Sequence, residues 1–488
     1  MQLSYRKISV NMYTSLRIYK GLGAKFLLES ASLQHAKGRF SILVRGINFS
    51  LSKELDSYFL HLPGQSKKYD LSNLSSANLP NEFSSLESKI KKLEKLDFLS
   101  LASLLRELYP EVPEELGEIP LPLGGLGFLG YEFFNECERV SFSKPSLYER
   151  FSDYCVPDCL LVFPREIIVF DHYYDEACVA VCGNDSKCLL EGLLGEIEAC
   201  STSQTPLLTA GENLDSIVVH DDGQEWYEST VEKIKNDIYR GDLLQAVLSR
   251  AMVIKSNLNP LHVYERLRRL NPSPYMYHLD FGEFCITGAS PELFLRCKQG
   301  KQILRPIAGT RPRGASLEED RALEKELKED PKENAEHLML IDLARNDIGK
   351  TASLGSVKLQ ECKIIERYSS VMHLVSQVEG EIAADKTPND CLLACFPAGT
   401  VSGAPKIEAI KRLEAYENHK RGVYAGALVY FDRRGDFDSA IALRSALYAR
   451  GYYYLQVGAG IVMDSKPRAE YHETCSKIES LYSIIMKG

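Results

Sequence analysis

The stretch that most restricts the fold is GVYAGALVYFDRRGDFDSAIALRSALYARGYYYLQVGAG, from Gly422 to Gly460, whose apolar runs are separated by the short turn sequences DRRGD and ARG. Connections this short return the chain onto its own neighbour and cannot carry the crossover that parallel strands need. This part of the chain is therefore expected to be antiparallel sheet. EFCITGASPELFLRC reads as another strand pair. Before it, Tyr227, Val231, Ile234 and Ile238 recur at helical spacing until Gly241, and LLQAVLSRAMVI follows as a strand. In the earlier half SSLESKIKKLEKL has helical character and FSILVRGINFSL strand character. The mixture predicts an α+β protein with a large, mainly antiparallel β-sandwich core flanked by helices.

The chain of 488 residues is several times the usual domain length, and the polar, turn-rich stretch from Cys200 to Gly223 separates halves of different character. The expected division is 1–215 and 216–488. A net charge of -9, from 58 basic and 67 acidic residues, disfavours a nucleic-acid footprint, and no apolar run reaches the length of about 20 residues that spans a bilayer. Arg6, Lys7, Arg17 and Lys20 precede the first acidic residue, Glu29, but folded structure is expected to begin too early to leave room for a transit peptide. Thirteen cysteines, an odd number without a secretory signal, argue against a disulfide framework and for a cytoplasmic protein. Cys155, Cys159, Cys178 and Cys182 form two C-x3-C pairs around LLVFPREIIVF and are expected to be structural thiols rather than a zinc site. Gly125, Gly127 and Gly130 have the spacing of a dinucleotide-binding turn, but GEIPLPL before them is no clean parallel strand, so strand glycines are expected.

PIAGTRPRG, from Pro306 to Gly314, reads as a rigid basic loop suited to an acidic ligand, against the plainer reading of a solvated turn. Glu333 and Glu336 stand three residues apart at the start of an apolar-periodic helix, and Glu470 and Glu473 do the same near the C-terminus. Each pair alone is most simply a solvated helix face. Two pairs beside a basic loop and a GAG turn suggest an oxygen-rich site for a hard cation, with Mg2+ favoured because it needs few protein carboxylates and keeps places for water and ligand.

From Trp226 onward the motifs QAVLSR, GASPE, PIAGTRPRG, EHLMLIDLARND, FPAGTVSGAPK, YAGALVYFD, IALRSAL and GAGIVMDSKPRAEYHET resemble those of the chorismate-utilising enzyme family, in the family's order. The resemblance implies that the ring carboxylate of chorismate sits on Mg2+ held by Glu336 and Glu473, with Glu333 and Glu470 orienting its waters. It places Glu292 to protonate the departing C4 hydroxyl and His373 to transfer the proton for aromatisation. Gly309, Thr310, Tyr424, Arg444, Gly458, Ala459, Gly460 and Lys477 would bind substrate carboxylates. Family members that add water carry a lysine base where this chain has Gln245, and many that retain the enolpyruvyl group, the aminodeoxychorismate synthases, carry a nucleophilic lysine where it has Ala308. Neither residue here can act in those ways. The chain therefore resembles the members that add ammonia at C2 and eliminate pyruvate to leave anthranilate, with aminodeoxychorismate formation as the alternative.

LLES and NPSPYM resemble the two segments of a tryptophan pocket, which implies an N-terminal regulatory portion and feedback inhibition, with Glu29, Ser30, Pro274, Tyr275 and Met276 as its residues. No cysteine sits in the glycine setting of an amidotransferase nucleophile; Cys391 and Cys395 lie on the apolar segment CLLACF. The resemblance then implies a separate glutamine amidotransferase subunit as the source of ammonia.

Overall fold

Strands with few charges along their length need cover on both faces, and two long ones organise this molecule. In the computed structural model, which describes residues 1–10, 13–30, 38–73, 79–80, 83–93, 95–202, 215–368 and 371–487, the strands Phe40–Glu54 and Cys159–Asp171 pair antiparallel over nearly their whole length. Their register shifts between Val44 and Phe49. Such irregularities bend a ribbon and let one strand serve two sheets.

At one end of this ribbon Phe40–Val44 pairs with Phe26–Glu29, and the sheet continues through Tyr275–Asp280, Phe284–Ser290, Ser445–Ala449, Tyr452–Ile461 and Gln245–Lys255 to Ile217–Asp221. At the other end Leu126–Leu129 pairs with Cys159–Val162, and a second sheet runs through Ala427–Phe431, Phe437–Ile441, Leu293–Lys298, Lys301–Leu304 and Val371–Glu381. Every one of these pairings is antiparallel. Phe128 of the second sheet meets Phe284 of the first with ring centroids 6.1 Å apart, so the sheets face one another across a shared core.

Side chains alternate as the two-residue period requires. Tyr277 and Leu279 enter the core between the sheets, whereas Met276 joins the opposite face, packed under Ser15–Leu22, Ser186–Thr202, Pro260–Leu270 and Pro467–Lys487. The α+β expectation and its antiparallel sheets hold. Strands on either side of position 215 pair in both sheets; 203–214, half of the polar stretch between the halves, lies outside the described residues. Cys159, Cys178 and Cys182 are buried in strands, Cys155 is exposed, and none of the thirteen cysteines is in a disulfide. Gly125–Leu129 is a wholly buried strand between two others, which rules out a nucleotide-binding turn there.

One expectation is corrected. Ile307–Pro312, at the centre of the stretch that reads as a loop, is a strand paired with Val371–Val375. Among the described residues it is bonded on one side only, which is where a sheet tolerates proline.

Candidate active site

The two-residue period and one bulge aim the relevant side chains into a common space. Gly309 has φ 66° and interrupts the pairing between Ala308 and Thr310, and a Cβ there would come within 2.7 Å of the Leu327 side chain. The bulge turns Thr310 toward His373, the residue opposite it. A cavity of about 240 Å3 opens beside them, and Ala308, Gly309, Thr310, Glu292, His373, Glu336, Tyr424, Arg444, Gly458, Gly460 and Lys477 all line it.

Glu292 follows the strand Phe284–Ser290 and is buried, with Thr400 Oγ1 donating to its Oε1 at 2.7 Å. Burial pushes its carboxyl up to about 7, against the opposing pull of the Thr400 hydrogen bond and of Lys477 and Arg444. His373 behaves in the opposite sense. Burial lowers it to about 4, so the imidazole is neutral at physiological pH, with Nδ1 3.0 Å from Thr310 Oγ1 and 3.3 Å from the Gly309 carbonyl. One buried acid that keeps a proton and one imidazole that has none make complementary proton-transfer groups.

Arg444 has φ 48°, a left-handed conformation that costs a side-chain-bearing residue about 1–3 kcal/mol, and its guanidinium has no hydrogen-bond or ion-pair partner among the described residues. A strained, unpaired cation in a cavity wall has the chemistry to receive a carboxylate. Lys477 is less free, since Nζ donates to the Gly458 carbonyl at 3.0 Å and pairs with Glu473 at 2.7 Å. Gln245 stands just behind the wall, buried, with its Nε2 2.9 Å from where a Cβ on Gly460 would lie. Ala459, between two lining glycines, turns its side chain to the other face of the strand.

The helices Pro331–Gly349 and Pro467–Lys487 bring the four glutamates to the cavity's edge, with Glu336 in the lining itself. Burial raises the Glu336 carboxyl and the negative charges of Glu333 and Glu473 raise it further; Glu470 is raised by burial and then by Glu473. Mutual repulsion of carboxylates is what a divalent cation relieves, so these residues fit a hard metal ion. Glu333 also accepts from Arg311 Nη1 at 3.2 Å.

The arginines of the basic strand are not directed at a ligand. Arg311 pairs with Glu326, Asp330 and Glu333, and Arg313 with Asp320, which fastens the strand to the two acidic helices beside it. The site's positive charge comes instead from Arg444 and Lys477. At the second expected pocket, Glu29 lies opposite Met276 in the register, Pro274 and Met276 are buried, Ser30 follows the strand, and the Tyr275 hydroxyl donates to Asp438 at 3.1 Å. The Glu29 carboxylate accepts from Tyr264 at 2.5 Å, from Arg268 Nε at 2.8 Å and from Ser15, which fix its position beside Met276.

Residues 63–483 match the family of chorismate binding enzymes. The chain belongs to that family. Anthranilate synthase component 1 of Spirochaeta aurantia is 38% identical over 466 residues, covering 94% of this chain and 90% of that protein. The Aquifex aeolicus protein of the same name is 35% identical over 495 residues, covering 99% and 94%. The crystal structure of anthranilate synthase component I from Streptococcus pneumoniae superposes with a TM-score of 0.75 at 31% identity, covering 97% of this chain and 98% of that one.

In this chorismate-binding enzyme, two residues that sequence reasoning missed hold parts of the cavity in place. Thr400 holds Glu292. Arg421, fully buried, donates to both Glu417 oxygens at 2.9 and 2.6 Å and to the carbonyls of Val401 and Val247 at 2.8 and 2.6 Å, and lies over the Tyr131 ring at 4.4 Å. Val247 and Val401 line the cavity, so Arg421 braces two of its walls. Glu417 is four residues from Arg421, but the partners that give Thr400 and Arg421 their places at the cavity, Glu292, Val401 and Val247, are distant in sequence.

Proposed function

We propose that this chain is the large subunit of an anthranilate synthase, a lyase that converts chorismate and ammonia to anthranilate, pyruvate and water. The observation that carries this reading is the chemistry of the cavity wall. Ala308 offers no nucleophile and Gln245 no base, so the site suits a reagent that is already nucleophilic, and ammonia is one. Full-length relatives of that name support the same reading.

Arg444, with the donors at Thr310 and Gly458, orients the two substrate carboxylates. Ammonia bonds to C2 while the C4 hydroxyl leaves as water, and Glu292 supplies the proton, which burial lets its carboxyl keep near neutrality. Neutral His373 then accepts the C2 proton as pyruvate is expelled and the ring becomes aromatic. Glu336 and Glu473 would hold Mg2+, with Glu333 and Glu470 positioning its water; bound there, Mg2+ would neutralise the ring carboxylate.

Ammonia would come from glutamine through a separate amidotransferase subunit, since Cys391 and Cys395 are buried in the helix Pro388–Cys395 rather than set on an exposed elbow. We further propose a cytoplasmic enzyme whose 1–215 portion contributes a tryptophan-sensing segment at Glu29 and Ser30 beside Pro274, Tyr275 and Met276, acting on the 216–488 catalytic portion. In support, no helix among the described residues is long and apolar enough to cross a membrane, and the strands Phe26–Glu29 and Tyr275–Asp280, which Ser30 follows and Pro274 precedes, are paired.

The test is direct. Purified chain is mixed with chorismate, Mg2+ and an ammonium salt at mildly alkaline pH, and anthranilate is followed by fluorescence with an EDTA control. Metal-dependent anthranilate with equimolar pyruvate is expected. Consumption of chorismate without anthranilate would refute the assignment, and unchanged activity at saturating tryptophan would refute the regulatory part.

A further inference from the structure

Outside the cavity, the strand Ile217–Asp221 and the segment after the helix Lys406–Tyr416 bring together His220, Asp222 and His419, with one ligand-type atom of each lying within 4.8 Å of the others. Asp222 Oδ2 is 2.9 Å from His419 Nε2, and Asp222 Oδ1 is 3.5 Å from His220 Nε2. Asp222 and His419 are almost fully enclosed. His220 Nε2 is a buried atom without a hydrogen-bond partner. An orphaned ring nitrogen facing a carboxylate and a second imidazole is unusual, because buried polar atoms nearly always find partners.

We propose that His220 Nε2, the Asp222 carboxylate and His419 Nε2 form a binding site for a borderline divalent transition metal, Zn2+ being the archetype, with water in the fourth position. Two atoms bound tetrahedrally at ordinary zinc distances sit about 3.3 Å apart; the observed 2.9 and 3.5 Å run to Asp222 Oδ2 and Oδ1, so the carboxylate would present both oxygens to the ion or turn one toward it. Two imidazoles select against Mg2+ and Ca2+, which take oxygen. The surroundings already do what outer partners of a metal site do. His419 Nδ1 lies 3.4 Å from the Lys420 carbonyl, a partner that would hold the ring once the metal replaces the proton His419 Nε2 now shares with Asp222 Oδ2, and the Ala251 amide donates to Asp222 Oδ2 at 2.8 Å and fixes the carboxylate. The metal would tie the sheet edge to the segment carrying Arg421, bracing the cavity wall from behind.

The full chain, equilibrated by dialysis against micromolar free Zn2+ with millimolar Mg2+ to occupy the glutamate site, is assayed for metal by elemental analysis; Co2+ in place of Zn2+ gives an absorption readout. We expect one Zn2+ per chain, a tetrahedral Co2+ band lacking thiolate charge transfer, and a thermal midpoint raised by Zn2+. His220→Ala, a substitution at a partly exposed strand end, and His419→Gln are each expected to weaken binding at least tenfold and to abolish the Zn2+-dependent shift; the metal-free midpoint stays close to that of the parent for His220→Ala, while His419→Gln, which removes a partner of the enclosed Asp222 carboxylate, lowers it. No retained Zn2+ in the parent chain overturns the proposal, as does binding that survives His220→Ala or a Co2+ spectrum carrying cysteine bands. None of these outcomes depends on catalysis, so the metal site and the proposed reaction stand or fall separately.

Discussion

Glu292 is a carboxylic acid by virtue of where it sits. Its enclosure raises the carboxyl from its ordinary value to about 7, so the proton that the proposed reaction takes from it is present below that pH and lost above it. Expressed against the concentration of free NH3, kcat/KM for chorismate should therefore decline on the alkaline side with an apparent pKa near 7, and a pH-rate profile checks this. Glu292→Gln keeps the acceptor for Thr400 but carries no proton to give, and its activity should fall by about 10²–10⁴. Stability should move the other way. A raised native pKa stabilises the fold fully below the unfolded value and loses that contribution as pH rises through about 7. At pH 8 the amide should thus unfold at equal or higher urea than the parent, by up to about 3 kcal/mol. A clear drop in midpoint would sink the burial account. Gly458 provides a second residue-level check: an added Cβ would stand 2.7 Å from the Leu248 carbonyl and 2.8 Å from the Tyr424 hydroxyl. Gly458→Ala should cost about 1–3 kcal/mol and displace a cavity wall, visible as a lower unfolding midpoint together with a raised KM.

Between elements, the same reasoning turns on buried charge. Arg421 and Glu417 are both enclosed, and Glu417 also accepts from the Ser249 amide and hydroxyl at 2.9 Å, so one guanidinium ties three chain segments together. Removing one partner of such a pair strands the other in a low-dielectric setting. Arg421→Gln should cost about 3–5 kcal/mol in chemical unfolding and lower kcat, because the Val247 and Val401 walls lose their brace. A variant as stable as the parent would show that the network is incidental. Arg311 is a milder case, half-exposed partners making it worth less per contact, though it fastens the Ile307–Pro312 strand to both flanking acidic helices. Its place explains why PIAGTRPRG misleads. Proline and glycine read as loop-makers, but at a one-sided strand with a bulge they are admissible, and the arginines that suggest a ligand answer acidic residues downstream.

At the scale of the molecule, what the sequence discloses is what is local. Hairpin turns announce antiparallel neighbours, and an i, i+3 spacing is enough to place Glu333 with Glu336 and Glu470 with Glu473. Which strand lies next to which depends on residues far apart: Phe26–Glu29 pairs with Tyr275–Asp280, and Gly125–Leu129 with Ala427–Phe431. Thr400 against Glu292 and Arg421 against Val247 are invisible for the same reason. This interleaving has a consequence for how the chain folds. Removing 1–215 would leave Tyr275–Asp280 and Ala427–Phe431 each with an unpaired edge, and would strip Phe128 from the Phe281 and Phe284 rings it packs against at 5.8 and 6.1 Å. Exposed edges and apolar faces of that length favour association over folding. Residues 216–488 expressed alone should then be insoluble or lack a cooperative thermal transition, whereas the full chain should unfold without a separate early transition for its first 215 residues. Co-expression of 1–215 as a second polypeptide should restore solubility, because the missing strands supply hydrogen bonds and core rather than a covalent link. If 216–488 by itself shows a sharp transition and native-like near-ultraviolet dichroism, the shared sheets are a docking surface between two independent units, and the bent ribbon of Phe40–Glu54 and Cys159–Asp171 is a joint rather than part of a common core.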